Sequence, residues 1–233
     1  MSDFITYIQD AVYFSLIFEN RYQLVLSGLW ITLVLTIASF LLGTLLGMVL
    51  CAGMGISRPA VRRISCIATG ILVKLPPLVL LMLFAYLILA GTGLGAVSIA
   101  IITFTFKSAA HLAQIFRSAV DSVAPGEVEA ARTLGFSRRQ AFFKVVFPQA
   151  VSQAMPLYKT QFILTMQDTS VVSLLAIPDL TRSVTIITSR TLDPIITLVI
   201  TSVVYLVLGA LANVLLSCAE RKKHISSQEA ERV

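Results

Sequence analysis

Charge is scarce in this sequence, and its scarcity excludes a water-soluble domain. Asp, Glu, Lys and Arg together make up 13% of the 233 residues, against 57% hydrophobic ones, too few to cover a soluble surface. The net charge of +6 does not indicate nucleic-acid binding, because the charges cluster in short segments between apolar runs, as topology signals do. Cysteine is nearly absent. Cys51, Cys66 and Cys218 have no metal-ligand spacing and fall near one side of the expected bilayer, so they read as small packing residues rather than disulfides or ligands. Only two histidines are present, His111 in an apolar run and His224 in a polar tail, which leaves no set of nucleophile, base and orienting group. There is no Gly-x-x-x-x-Gly-Lys-[Ser/Thr] phosphate loop. The chain is therefore expected to hydrolyse nothing itself, and to need neither metal nor cofactor. The amino terminus lacks a basic stretch ahead of its first apolar run, so no cleavable signal peptide is expected.

Long apolar runs fill the space that charge leaves. A spanning helix needs about 20 mostly apolar residues, and five candidates meet that length: residues 24–51, 67–90, 96–118, 160–177 and 195–218. Lys and Arg concentrate in "SRPAVRR" (Arg58, Arg62, Arg63), in the segment carrying Arg132, Arg138, Arg139 and Lys144, and in "ERKKH" (Arg221, Lys222, Lys223). The alternate loops hold few: Arg21 in the amino-terminal segment, none in "GTGLG", and Arg182 and Arg190 balanced by Asp179 and Asp193. These counts predict an all-α, polytopic membrane helix bundle of five spans, amino terminus outside and carboxyl terminus inside. The expected organisation is one membrane domain over 1–233: an interfacial segment 1–23, a core 24–220 with a cytoplasmic loop 121–158, and a tail 221–233. In the first span, Gly43 and Gly47 stand four apart, which permits close helix packing against an unassigned partner.

The segment "EVEAARTLGFSRRQAFFKVVFPQA" is unlike its surroundings. Pro125 suits a first helical turn, and Glu127 and Glu129 suit the positive end of its dipole. Gly135 suits a left-handed cap, and "SRRQ" from Ser137 is a capping-box pattern. A second helix should then run until Pro148 stops it. The segment thus reads as helix, glycine turn, helix. Its apolar residues (Ala130, Leu134, Phe136, Phe142, Phe143, Val146) need a partner. That partner is either the chain's own helix ends or a groove on a soluble cytoplasmic protein; a DNA-reading helix-turn-helix is opposed by the two glutamates and the membrane context.

Residue by residue, this stretch resembles the EAA signature of permease subunits of bacterial ABC importers. Glu129, Ala130 and Ala131 are followed by Gly135, then after nine residues by Val145, Phe147 and Pro148, with Arg138 between. "GLWITL" from Gly28, "SAAHLAQIFRSAV" from Ser108, "QDTSVVSLLAIPDLT" from Gln167 and "TSRT" from Thr188 resemble the polar amino acid group of type I importers, so the likeness covers most of the chain. It implies a permease of the bacterial cytoplasmic (inner) membrane that forms a pathway for polar amino acids by alternating access. It also implies three kinds of partner: a cytoplasmic ABC ATPase dimer docked on the loop as a coupling helix, a second permease copy or homologue, and a periplasmic or lipid-anchored substrate-binding protein. Two stretches depart from the family pattern. Lys74, Leu75, Pro76 and Pro77 replace an Arg-Gly-Thr-Pro-like run, and Lys107, His111, Gln114 and Gln167 replace its usual Asn, Tyr, Glu and Lys, which touches cargo preference rather than class.

Polar residues within apolar spans mark function by default. Lys107, His111 and Gln114 recur at i, i+4 and i+7, on one helix face expected to point inward. Gln167, Asp168, Thr169 and Ser170 lie about ten residues from Tyr158, or about 15 Å along a helix. With Tyr158 at the cytoplasmic edge, that is close to the midplane. An interrupted helix lining a cavity would accommodate them. Asp168, Thr169 and Ser170 are the expected contacts for the amino and carboxylate groups of a passing amino acid, with Lys107 either countering Asp168 or meeting the cargo carboxylate. Lys74 either snorkels to the interface or lines the pathway, and Pro76 and Pro77 imply a kink. "IPDLTRSVTIITSRTLDP" predicts a short outer helix partly closing the pore. That helix and the amino-terminal stretch either meet the binding protein or pack at the interface. The rival reading is an ion-gradient-driven secondary carrier using Lys107, His111 and Asp168 as a proton relay.

Overall fold

The computed structural model describes residues 13–230, with side chains described through residue 217. Most of the expected amino-terminal interfacial segment, and the side chains of Cys218, Arg221, Lys222, Lys223 and His224, lie outside the described residues. Every regular element among the described residues is helical. After short turns at Tyr13–Ile17 and Phe18–Asn20, helix α1 runs Tyr22–Gly55, α2 Pro59–Lys74, α3 Pro77–Leu83, α4 Ala96–Asp121 and α5 Pro125–Thr133. Then come α6 Arg138–Ala141, α7 Phe147–Asp168, α8 Leu180–Thr191 and α9 Pro194–Ala230. Among the described residues three helices are long and apolar enough to cross a membrane: α1 (mean hydropathy 2.4), α4 (1.4) and the Pro194–Ser217 part of α9 (2.5). The number rises to five if two broken pairs each count as one span. The chain is a membrane protein.

Several expected boundaries shift, each for a local reason. The "SRPAVRR" stretch is not all loop: Pro59 opens α2, so Arg62 and Arg63 are helical, consistent with proline's preference for the first helical turn. The second expected span is bent by 114° between Pro59–Lys74 and Pro77–Ile88, because Pro76 and Pro77 supply no backbone N–H across the join. Pro148 does not stop the helix of the charged segment. After α6 the chain makes a π turn at Phe142–Val146, in which the Phe147 N–H reaches back to the Phe142 carbonyl, and Pro148 falls in the first turn of α7. A wider turn relieves the clash and the missing donor that proline would impose on an ordinary ladder. The fourth apolar helix therefore begins at Phe147, well before residue 160.

Residues 34–169 form one compact unit, and residues 1–33 with 170–233 form the other. In the first unit α1 lies against α4. A Cβ at Gly43 would fall 2.1 Å from Ser108 Oγ, and one at Gly47 would fall 3.0 Å from both the Ala109 carbonyl and Leu112 Cβ. The glycine pair thus has its partner, and packing is its role. Ala119, Ala150 and Ala154 let α4 and α7 approach in the same way, while Leu80, Phe84 and Ile99 fill the apolar space between α3 and α4. In the second unit Gly28 lies against the start of α8, where a Cβ would meet Ser183 Oγ at 2.4 Å and the Asp179 carbonyl at 2.7 Å. Ser183 Oγ donates to the Leu24 carbonyl at 2.7 Å, and the Leu180 N–H donates to Thr32 Oγ1 at 3.1 Å. Asp179, wholly buried, caps α8 by accepting from Arg182 and Thr181 N–H. Arg21 is buried and held by the Phe14 carbonyl (2.9 Å) and Glu19 (3.1 Å).

Candidate coupling loop and intramembrane polar face

The loop from Pro125 to Ala141 is built by two caps back to back. At the end of α5, Gly135 adopts φ +86°, a conformation that favours glycine. The Gly135 N–H donates to the Arg132 carbonyl and the Phe136 N–H to the Ala131 carbonyl, both at 3.1 Å, which is the double bond of a Schellman cap. Two residues later Ser137 opens α6. Its Oγ accepts from the Gln140 N–H at 3.3 Å, while its own N–H donates to Gln140 Oε1 at 2.8 Å. The turn between the two helices is thereby fixed on both sides.

The loop buries part of its apolar surface and leaves the rest open. Ala131, Ala141 and Val146 are buried. Phe136 is half-buried beneath the Lys144 ammonium, 5.1 Å from its ring centroid. Phe142, Phe143 and Phe147 pack on one another at centroid distances of 5.3–6.4 Å. Glu127 accepts from the Gln149 side chain. By contrast Glu129, Ala130, Gly135 and Arg138 are exposed, and Leu134 is 78% exposed at the tip. Glu129 makes no ion pair among the described residues. Of the two partners left open by the sequence, the chain's own helices cover Ala131, Ala141 and Val146, while Phe142, Phe143 and Phe147 touch one another but stay exposed. The part of the loop carrying Glu129, Ala130 and Leu134 stays uncovered.

On α4, burial falls off along the polar face: Lys107 is 6% exposed, His111 half-buried and Gln114 exposed. Gln114 borders an open cleft with Met54, Arg117, Ser118, Asp121 and Ser122. Among the described residues Lys107 makes no ion pair with Asp168. Its ammonium donates instead to the Leu75 carbonyl at 2.9 Å. Leu75 stands at the break between α2 and α3, where a carbonyl loses its helical donor. The lysine satisfies that carbonyl from 32 residues away, and no sequence pattern announces the pairing. Lys74, the last residue of α2, is exposed.

The run Gln167–Ser170 sits where α7 tightens into a 3-10 turn, Thr169–Leu175, rather than at an open interruption. Gln167 is exposed, Asp168 and Ser170 are half-buried, and Thr169 is fully buried, donating to the Met166 carbonyl at 2.7 Å. Tyr158 is not at a helix edge: its hydroxyl is 3.1 Å from Thr44 Oγ1, and Thr44 is eleven residues, or about 16 Å, from the end of α1. The sequence-based depth for Asp168 took Tyr158 as that edge, and the earlier start of α7 removes its basis.

These features define an all-helical membrane protein with an exposed helix-turn-helix excursion between two apolar helices. The chain belongs to the family of binding-protein-dependent transport system inner membrane components, which it matches over residues 43–224. It is 30% identical to the histidine/lysine/arginine/ornithine transport system permease protein HisM of Salmonella typhimurium, over 92% of this chain and 96% of that one. It is 28% identical to the L-cystine transport system permease protein TcyB of Bacillus subtilis, over 91% and 92%. Among solved structures it resembles an amino acid ABC transporter crystallised with histidines, at a TM-score of 0.79 and 30% identity, covering 86% of this chain and 94% of that one. The inward-facing MetNI methionine ABC transporter shares the fold at a TM-score of 0.72 and 20% identity. This family membership disfavours the ion-gradient carrier.

Proposed function

We propose that the chain is the permease subunit of an ATP-driven importer of polar amino acids in the bacterial inner membrane. It crosses the membrane five times, amino terminus outside and tail inside, and pairs with a second permease, two ATPase subunits and an external binding protein. The observation that carries this reading is the rigidly capped, half-uncovered loop at 125–141. Glu129, Ala130, Ala131, Gly135, Arg138 and Pro148 form or brace the surface that enters the ATPase groove. Leu134 supplies the apolar anchor that such a groove requires. The chain catalyses no hydrolysis; closure of the ATPase pair moves the loop and turns the pathway outward, and hydrolysis resets it. His111, Gln114, Gln167, Asp168, Thr169 and Ser170 line the pathway, with Asp168 the acceptor for a cargo ammonium group. Lys107 contributes by holding the broken span in place. The names of the relatives, together with this polar face, support an amino acid as cargo.

The test is co-purification of the tagged chain from its native membrane in mild detergent, with mass spectrometry of what accompanies it. An ATPase subunit should be recovered with the wild-type chain and lost with Glu129→Lys and Leu134→Asp. A chain that purifies alone under conditions that hold other ABC complexes together would refute the reading.

A further inference from the structure

A groove of about 490 Å³ lies in the unit formed by residues 34–169, with Met48, Cys51, Phe142, Phe147, Val151 and Tyr158 among its walls. It does not suit a polar cargo. Its lining is apolar apart from the Cys51 thiol and the Tyr158 hydroxyl, and that hydroxyl is already paired with Thr44. A zwitterion placed there would find no partner for either charge, at a cost of several kcal/mol per unsatisfied group in such surroundings. Met48, Phe142 and Phe147 are all exposed, so the groove opens to the outside of the unit.

Its dimensions and its rim point to one occupant. Along α7 the wall runs from Phe147 to Tyr158, eleven residues or about 16 Å. One leaflet of the hydrocarbon core is about 15 Å, half of about 30 Å. At the Phe147 end the wall passes into the charged loop, where the Arg139 guanidinium lies 5.9 Å from the Phe143 ring centroid and Phe143 itself lines the groove. The segment 125–148 carries four cationic residues (Arg132, Arg138, Arg139, Lys144) against two acidic ones (Glu127, Glu129). A leaflet-length apolar channel with cations at its water-facing end matches an acyl chain joined to an anionic headgroup.

We infer that this groove is a binding site for an anionic phospholipid of the cytoplasmic leaflet, acyl chain along α7 and headgroup at Arg139. The inference rests on the topology proposed above, which places the loop on the cytoplasmic side. A lipid seated there would touch both the loop and the helix that continues from it, so headgroup composition would bear on how the loop is held.

The full chain, with whatever partners co-purify, is reconstituted into phosphatidylethanolamine vesicles carrying a minority of phosphatidylglycerol. A trace of phosphatidylglycerol with a photoactivatable acyl chain is added, and adducts are mapped by peptide mass spectrometry. Adducts should concentrate on the peptides containing Met48–Ala52 and Phe142–Tyr158, above the exposed apolar face of α9 at Leu198–Leu215. Ala52→Trp, which fills the groove from an exposed position, should abolish this enrichment, and so should Val151→Trp on the opposite wall. Arg139→Gln should reduce it about fivefold, since one basic residue near an anionic surface contributes about 1 kcal/mol. Variants are compared only as monodisperse preparations. Three results would each overturn the inference: even labelling of all exposed helix faces, groove labelling indifferent to Ala52→Trp, or equal labelling by a phosphatidylcholine analogue. Absence of groove adducts together with Cys51–Cys51 cross-links between two copies would assign the groove to a second permease instead. Because the adduct map is read whether or not an ATPase is recovered, its failure is distinguishable from failure of the importer reading.

Discussion

Replacing Lys107 by methionine separates two roles that the sequence alone could not distinguish. In the structure the ammonium is 6% exposed and donates to the Leu75 carbonyl at 2.9 Å, at the break between α2 and α3. Methionine keeps most of the aliphatic stem and removes the donor. A hydrogen bond from a charged group contributes about 1.5–3 kcal/mol. With Pro76 and Pro77 next in sequence no other backbone donor lies at the join, so the loss should fall near the middle of that range, about 2 kcal/mol. For a chain of this length, 1 kcal/mol moves the thermal midpoint by about 2–4 °C, which predicts a fall of about 4–8 °C in the detergent-solubilised complex. The assay is paired: thermal midpoint by size-exclusion after heating, and uptake resolved into maximal rate and KM in proteoliposomes. Lys107→Met should lower both the midpoint and the maximal rate with little change in KM, because the broken span loses its anchor. Lys107→Arg, which can still donate to Leu75, should recover most of the midpoint. If Lys107→Met leaves the midpoint unchanged and raises KM alone, the lysine meets the cargo and the anchoring argument is wrong.

Other substitutions probe the packing and the loop. Gly43→Ala should destabilise by about 1–3 kcal/mol, the usual cost of overpacking, because its Cβ would sit 2.1 Å from Ser108 Oγ. Adding Ser108→Ala should recover part of that loss, and independent, additive effects would show that the two positions do not touch. Gly135→Ala meets no atom within 4 Å, so its cost is backbone strain alone, about 1–2 kcal/mol for an L residue in the left-handed region. Gly135→Asn should be milder, and both are read as the fraction of ATPase subunit retained on the column; equal retention by Gly135→Ala and wild type would remove the glycine from the coupling argument. Asp179→Ala removes the cap of α8 and should lower stability by about 1 kcal/mol. An unchanged thermal midpoint would mean that the buried carboxylate is not holding the helix.

The parts of the fold that were legible in the sequence are those written in short-range code. Gly135 and the Ser137–Gln140 pair follow from capping chemistry that acts within six residues, and the structure reproduces both caps. The Gly43–Gly47 pair announced a close contact but could not name α4 as its partner, since nothing in a spacing of four identifies the opposing surface. Asp179 carries a local signal too, as an aspartate immediately ahead of a helix-forming run, the position of a helix cap. Lys107 and Leu75 were not legible at all. Their bond exists because a proline pair frees a carbonyl in one helix and a second helix happens to bring a lysine opposite it. That is a property of tertiary packing.

Pro148 shows how a local rule fails when the chain has another geometry available. Proline ends a helix because it lacks an N–H and crowds the carbonyl four residues back. The π turn at Phe142–Val146 moves that carbonyl out of register, so the chain stays helical from Arg138 through Asp168. At about 1.5 Å per residue this is a rod of roughly 45 Å, with the exposed loop at one end and the Gln167–Asp168 polar pair at the other. An unbroken helix transmits displacement along its axis, whereas a flexible link after Pro148 would dissipate it. On the proposed function, the same residues that defeat the sequence rule join the loop mechanically to the polar face. Replacing Pro148 by alanine should then leave the helix from Arg138 to Asp168 intact, because α7 does not depend on the proline to begin. Inserting two glycines after Phe147 should uncouple ATP hydrolysis from uptake while leaving the ATPase bound. If the glycine insertion leaves transport intact, the continuity of α6 and α7 is incidental.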